Sequence, residues 1–181
     1  MPDIAATGTA TDPRPLVIVD HPNLAGSRVD ARLVAELRRH PDEFVVRDLY
    51  GLYPTGSIDV EAEQGLLRVH DLIVYQFPIW WYTCPPLLHH WMNEVFSEGW
   101  AYGGDQAGPG EPGRMLAGKR FACAVAAGDV EGNYQPDGSV GASVAQVLEP
   151  FHATARYLGA TAVEPDFATF GTEVDLTDER L

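Results

Sequence analysis

The stretch DLIVYQFPIWWYTCPPLLHHWMNEVF, residues 71–96, contains a strand, an uncharged turn and a helix in immediate succession. Residues 71–76 form an apolar run that predicts a buried strand, and residues 85–97 open with prolines, which the first turn of a helix tolerates. Trp80, Trp81 and Tyr82 lie between them in a segment without charge. A buried strand that leads directly into a helix is typical of a sheet with parallel strands.

The same alternation of strand and helix runs along the rest of the chain. Ser27 is placed to cap one helix, and the acids of residues 59–63 indicate the solvated start of another. The remaining predicted strands are 15–20, 43–48, 119–127 and, more weakly, 162–171, and the remaining predicted helices are 27–40, 59–69 and 143–159. We therefore predict an α/β, flavodoxin-like, doubly wound five-stranded parallel sheet, in the order 2-1-3-4-5, with helices on both faces.

The length of 181 residues suits one domain. We assign it to residues 15–181 and expect residues 1–14, which are small, polar and proline-bearing, to form a flexible N-terminal tail rather than a signal peptide. The last residues, 176–181, read as the start of a further helix with Thr177 as its cap.

The charge and the cysteines narrow the classes of function. There are 26 acidic residues against 12 basic ones, a formal net charge of -14, which argues against a nucleic-acid partner. The two cysteines form no CxxC pair and indicate reduced thiols in a cytoplasmic protein.

The sequence has neither an HExxH motif nor a local cysteine and histidine cluster, so we expect no metal. Three prolines interrupt the long uncharged run at 72–88, which makes it a poor membrane span.

Ligands of such sheets bind beyond the carboxyl ends of the strands, so three loops carry the candidate site. The first, residues 20–30, joins a strand to the N-terminus of a helix, where His21, Ser27 and Arg28 add donors for an anion such as phosphate. An ordinary turn with a helix cap is an equal alternative. The loop has neither a GxGxxG nor a Walker A motif, which excludes the dinucleotide and P-loop interpretations.

The second and third loops suit a planar ligand. The aromatic turn after Gln76 is stiffened by prolines and predicts the wall of an apolar slot, the alternative being core or dimer interface. The third loop, residues 126–141, carries four glycines that allow close approach of the backbone, and Tyr134 is its only aromatic residue. A plain mobile loop is the alternative for this segment.

Four segments together resemble a known family. They are VIVDHPN with SRV at 27–29, DLYGLYPTGSIDVEAEQ at 48–64, HDLIVYQFPIWWYTCPPLLHHWMNEVFSEGWAYG at 70–103 and PFHATARYLG at 150–159. The chain resembles the NAD(P)H:quinone oxidoreductases of flavodoxin-like fold over residues 15–181. It is most similar to the bacterial branch that includes the ancillary subunits of glutathione-gated potassium efflux systems.

The resemblance implies a homodimer whose subunits both line each flavin site, with FMN in the bacterial branch and FAD in others. The expected phosphate loop is His21, Ser27, Arg28, Val29 and Asp30. The turn that faces the flavin ring is Ile79, Trp80, Trp81 and Tyr82. The glycine-rich loop is Ala126, Ala127, Gly128 and Asp129, and Tyr134 is the residue on the substrate side.

The resemblance also implies two-electron, ping-pong transfer of a hydride from NAD(P)H through flavin N5 to a quinone. Tyr134 is the candidate catalytic residue, since its hydroxyl would hydrogen-bond the quinone oxygen. Two alternatives stay open. One is a regulatory subunit of a membrane transporter, held at the inner face of the membrane by that partner. The other is a flavin-dependent tailoring reductase for one aromatic or quinoid metabolite.

Among the departures from the family pattern, two lie at the expected flavin site. Asp30 stands where asparagine is usual, which puts a carboxyl group near the expected phosphate unless it faces away or pairs with Arg28. The glycine loop reads Ala-Ala-Gly-Asp at 126–129 where Thr-Thr-Gly-Gly is usual, so two hydroxyl donors are replaced and a charge is added beside the expected ring.

Overall fold

A computed structural model describes residues 11–173 and contains the predicted parallel sheet. The strands are β1 (Leu16–Val19), β2 (Val45–Asp48), β3 (Leu72–Pro78), β4 (Arg120–Ala126), β5 (Thr161–Ala162) and β6 (Phe167–Thr169). Their order is β2-β1-β3-β4-β5, every pair is parallel, and β6 also pairs with β4. The predicted flavodoxin-like order is confirmed.

The predicted fifth strand is divided into β5 and β6. Both pieces pair with β4, at Phe121 and at Ala124 among other positions. The Val163 N–H still donates to the Phe121 carbonyl at 2.7 Å, and the residues that follow, 164–166, include Pro165, which has no N–H to donate to a neighbouring strand. This break places Asp166 directly before β6, one residue ahead of the pairing of Phe167 with Ala124, and close to Cys123.

The four helices that the sequence predicts are present. They are α1 (Val29–Arg39), α3 (Val60–Val69), α4 (Pro86–Val95) and α5 (Val144–Tyr157). A fifth, one-turn helix, α2 (Leu49–Leu52), begins where the Asp48 carboxylate accepts a hydrogen bond from the Gly51 N–H, and four residues are too few to show helical spacing in a sequence.

Alternate residues of the strands face opposite sides of the sheet, and helices pack on both. On one side Ile18 and its neighbours join a large core with residues of α3, α4 and α5. On the other side Val17 and Val19 pack against Val34 of α1. The two-sided arrangement predicted from the sequence is therefore observed.

The expectation that the acids of residues 59–63 form a solvated helix start is right for Asp59 and wrong for Glu63. Asp59 is exposed and accepts a hydrogen bond of 3.0 Å from the Ala62 N–H. Glu63 is fully buried, receives a 2.6 Å hydrogen bond from the Tyr53 hydroxyl and forms an ion pair with Arg47 of β2. This guanidinium supplies the opposite charge that a buried carboxylate requires.

The segment before β1 lies against the sheet where the structure describes it. The Asp12 N–H donates to the Val69 carbonyl at 2.7 Å, and the ring of His70 is 2.8 Å from the Arg14 carbonyl. Residues 1–10 and the predicted last helix at 176–181 lie outside the described residues, and the domain boundary at residue 15 stays a prediction. Within residues 11–173, no helix is long and apolar enough to cross a membrane.

Candidate functional site

The aromatic turn after β3 has an unusual backbone. Trp80 and Thr83 exchange two backbone hydrogen bonds, of 2.8 and 3.1 Å, and the two residues between them have positive φ, 49° at Trp81 and 64° at Tyr82. This is the pattern of a type I′ turn, which normally uses glycine or asparagine. Among residues 11–173, neither Trp81 nor Tyr82 donates its amide to another backbone group, so both amides are available to a ligand.

A cavity of about 450 Å³ separates this turn from the glycine loop after β4. Its size is within the range of small-molecule sites. Its lining combines predicted residues of both loops with one acid from the end of the described chain: Ile79, Trp80, Trp81, Tyr82, Gly128, Asp129, Tyr134 and Glu173. A Cβ at position 128 would lie 3.0 Å from the carboxyl carbon of Glu173, so a larger residue there would require this side chain to move slightly.

The other two residues predicted for the glycine loop, Ala126 and Ala127, connect this loop to neighbouring segments through backbone hydrogen bonds. The Ala126 carbonyl accepts the Ile79 N–H at 2.8 Å, and the Ala127 N–H donates to the Thr169 carbonyl at 2.8 Å. Both alanine side chains are buried. These two residues therefore hold the loop against the turn and do not line the cavity.

Asp129 is anchored within the glycine loop. Its carboxylate accepts hydrogen bonds of 2.8 Å from the Val130 N–H and 2.7 Å from the Asn133 side chain. Asp129 and Glu173 both line the cavity, so the cavity wall carries two acidic side chains. The charge that Asp129 adds is thus partly satisfied by local donors.

Tyr134 stands between two cavities. It is 5% exposed, and its ring centre is 5.6 Å from that of Phe170. Besides the cavity at the turn, it lines a second one of about 750 Å³, together with Ser143, Glu164 and Asp166. Burial raises the pKa of Tyr134, which keeps its hydroxyl protonated and able to donate a hydrogen bond.

The first loop adjoins the turn without lining its cavity. The ring of His21 meets the ring of Trp80 edge-on, with centres 6.1 Å apart. Ser27 accepts a 3.0 Å hydrogen bond from the Asp30 N–H, in the first turn of α1, and donates one of 3.1 Å to the Asp30 carboxylate, while the N-cap residue of the helix is Arg28. Val29 is buried at the first position of that helix, and Arg28 is exposed.

The carboxyl group of Asp30 does not face away from this loop. Besides Ser27, it lies 3.8 Å from His21 Nε2, and the residue is 2% exposed. Its Oδ1 atom has no hydrogen-bond partner among the described residues. Burial raises the pKa of Asp30, which favours the neutral form and weakens the repulsion that an ionised carboxylate would exert on a bound phosphate.

Comparison with known proteins agrees with the fold. Residues 13–180 match a protein family of flavodoxin-like fold. The chain belongs to this family. A Bacillus subtilis relative, the uncharacterized NAD(P)H oxidoreductase YrkL, is 41% identical over 157 residues, which are 87% of this chain and 85% of the relative. The glutathione-regulated potassium-efflux system ancillary protein KefG of Cronobacter sakazakii is 39% identical over 140 residues, 77% of this chain and 72% of the relative.

Two solved structures are similar along most of the chain. One is the general stress protein 14 from Treponema denticola in complex with FMN, with 46% identity, a TM-score of 0.80, and coverage of 86% of this chain and 85% of that one. The other is an NADPH-quinone reductase from P. pentosaceus, with 28% identity, a TM-score of 0.75, and coverage of 87% and 85%. The resemblance to the NAD(P)H:quinone oxidoreductases is therefore confirmed.

The structure adds a buried acid that the sequence did not single out. Asp20 is fully buried at the end of β1, and neither of its carboxyl oxygens has a hydrogen-bond partner within residues 11–173. Burial raises its pKa to about 8. Burial, with a smaller effect of Asp20, also raises the pKa of the Cys84 thiol, which lies just after the aromatic turn, to about 12.

Proposed function

We propose that this family member is an FMN-dependent NAD(P)H oxidoreductase that delivers a hydride to a quinone or another small aromatic acceptor. The observation that carries the proposal is the cavity of about 450 Å³ between the aromatic turn and the glycine loop, at the carboxyl end of the sheet. The FMN in the Treponema denticola structure and the NAD(P)H in the name of YrkL support it.

The residues present fit this cofactor at two places. The amides of Trp81 and Tyr82 can donate to the polar edge of a flavin ring, and Trp80 offers an aromatic wall. The N-terminus of α1, with Ser27 and His21 beside it, suits the phosphate. The neutral form of Asp30, which burial favours, is the form compatible with that anion.

Bound FMN would supply a ring that accepts a hydride and passes it on, and the protein would orient the substrates and exclude water. We propose a ping-pong order because the one cavity at the turn would receive the nicotinamide and the acceptor in succession. Tyr134, protonated and placed between the two cavities, would donate a hydrogen bond to the acceptor oxygen as charge develops there.

We further propose that the protein works as a homodimer in the cytoplasm. Trp81 is 93% exposed, and Trp80 and Tyr82 beside it are 43% and 54% exposed. A contiguous aromatic patch of this kind is typical of an interface. A second copy would cover the open side of the slot, and light scattering at micromolar concentration would measure the mass of the assembly.

The test of the cofactor is an anaerobic titration. Purified protein is reconstituted with FMN, freed of excess flavin and titrated with NADPH and then with NADH. We expect one bound flavin per chain, bleached by one equivalent of the nicotinamide. Trp81→Ala should weaken flavin binding, and Tyr157→Ala, which alters a 72% exposed aromatic residue of α5, should not. A protein that retains no flavin at any concentration would contradict the proposal.

A second candidate function rests on the similarity to KefG, the ancillary protein of a potassium-efflux system. In that case the chain is a regulatory subunit that binds a membrane transporter. Co-purification with a membrane protein, in a form that binds no flavin, would favour it. The tailoring-reductase alternative shares the flavin site, so a screen of quinones and other aromatic acceptors separates it from a general quinone reductase.

A further inference from the structure

Three residues from distant parts of the chain form a buried cluster outside the flavin site. Cys123 is in β4, His152 is in α5, and Asp166 is in the segment between β5 and β6. One ligand atom from each lies within 4.8 Å of the other two. Cys123 and His152 are each 3% exposed, and the side chain of Asp166 is also 3% exposed.

Three carboxyl groups, those of Asp166, Glu149 and Glu164, surround the imidazole of His152. His152 Nε2 lies 3.1 Å from Asp166 Oδ1, but Asp166 Oδ2 has no hydrogen-bond partner in the described part of the chain. On the opposite side of the imidazole, Nδ1 lies 3.8 Å from Glu149 and 3.9 Å from Glu164. An unpaired buried carboxylate oxygen is costly, so Asp166 Oδ2 is an acceptor that a positive ligand would satisfy.

We propose that Cys123, His152 and Asp166 form a binding site for a divalent cation of the zinc class. A thiolate, an imidazole and a carboxylate are all zinc ligands, and the thiolate disfavours magnesium and calcium. With a thiolate, a carboxylate and a neutral imidazole, a divalent cation gives a centre with no net charge. Such a centre is far less costly to bury than the carboxylate alone.

The geometry fits a tetrahedral ion after small movements. With Zn–N and Zn–O distances near 2.0 Å, two ligand atoms of a tetrahedron lie about 3.3 Å apart, close to the 3.1 Å between His152 and Asp166. Glu149 and Glu164 are placed to act on the second ring nitrogen, as carboxylates commonly do behind zinc-bound histidines. Asp166 and Glu164 also line the 750 Å³ cavity, which offers an entry path and room for a water as the fourth ligand.

A cation bound by these three residues would link β4, α5 and the segment between β5 and β6. Asp166 also lines the 750 Å³ cavity beside Tyr134, so the ion would stabilise one wall of that cavity. The inference does not depend on the proposed oxidoreductase activity. It revises the expectation of no metal, which rested on the lack of a local sequence motif.

The test is zinc binding by the complete chain. Protein treated with a chelator and kept reduced is titrated with Zn²⁺ alone in a calorimeter, and thermal unfolding is followed with and without zinc. We expect one zinc ion per chain and a higher unfolding midpoint with the metal, because a ligand that binds the folded state stabilises it. Cys123→Ser should weaken this binding by more than about 100-fold.

Cys84→Ser is the matched control, since it alters the other buried thiol and should leave zinc binding unchanged. If Cys123→Ser does not fold, as judged by circular dichroism, Asp166→Asn replaces it in the comparison. Two results would overturn the proposal. One is a wild-type protein that binds no zinc. The other is equal binding by wild type and both cluster variants, which would assign the zinc to the acidic surface.

Discussion

The buried carboxyl group of Asp20 should make the stability of the fold depend on pH. Asp20 directly follows β1 with 0% of its surface exposed, and neither of its oxygens has a hydrogen-bond partner among residues 11–173. Burial raises its pKa from 3.8 to about 8. Between these two values the folded protein holds a proton that the unfolded chain has released.

The sign and size of the effect follow from this difference in bound protons. Because the folded state binds more protons than the unfolded state in this window, the free energy of unfolding falls as pH rises. Each pH unit corresponds to about 1.4 kcal/mol, so the step from about pH 5 to about pH 7 lowers the free energy of unfolding by roughly 2 to 3 kcal/mol. Asp20→Asn removes the titrating group, so the variant should not show this fall in the free energy of unfolding.

The assay is urea denaturation of wild type and Asp20→Asn at several pH values, followed by tryptophan fluorescence. The difference in free energy of unfolding between the two proteins should grow steadily in favour of the variant as pH rises. Asp137→Asn, which alters an exposed loop carboxylate, should follow the wild-type profile. A difference between wild type and Asp20→Asn that stays constant from about pH 5 to about pH 7 would show that the carboxyl group is ionised in the folded protein, and the reasoning would fail.

Three further substitutions test the ion pair, the phosphate loop and the acceptor side. Arg47→Met leaves the Glu63 carboxylate buried and should cost about 3 to 5 kcal/mol of unfolding free energy in urea denaturation; Arg38→Met, which alters a 53% exposed side chain paired with a carboxylate, should cost less than about 1 kcal/mol. Asp30→Asn should tighten FMN binding about tenfold at high pH and little at low pH, because it removes a charge that forms only as pH rises through the raised pKa; parallel affinity profiles in equilibrium dialysis would contradict this. Tyr134→Phe should lower the rate of the acceptor half-reaction about tenfold or more in stopped-flow measurements and leave flavin reduction by NADPH unchanged; an unchanged acceptor rate would remove the role of the hydroxyl.

Much of the fold was predictable because its signals are local. The strand before the aromatic turn is a continuous apolar run, and prolines mark the start of α4, so both elements are visible in residues 71–96. Two features were not visible. The one-turn helix at Leu49–Leu52 is shorter than the repeat that reveals a helix, and the division of the fifth strand depends on which residues reach β4.

The location of the candidate site was also predictable, because parallel strands bring their following loops to the same edge of the sheet. The turn and the glycine loop do face each other across one cavity. The backbone of the turn was not predictable, since Trp81 and Tyr82 have positive φ, a conformation that non-glycine residues rarely adopt. The presence of Glu173 in the same cavity depends on how the end of the described chain crosses the loop.

The sequence by itself determined the order of strands and helices, the edge at which a ligand would bind and the aromatic character of that site, because all three follow from neighbouring residues and a general rule of topology. Only the tertiary structure decided which charges are buried. Asp20 and Glu63 read as ordinary acids in the sequence, and Cys123, His152 and Asp166 share no motif. Burial and proximity depend on which distant segments pack together, so the chemistry that they control appears only in the folded chain.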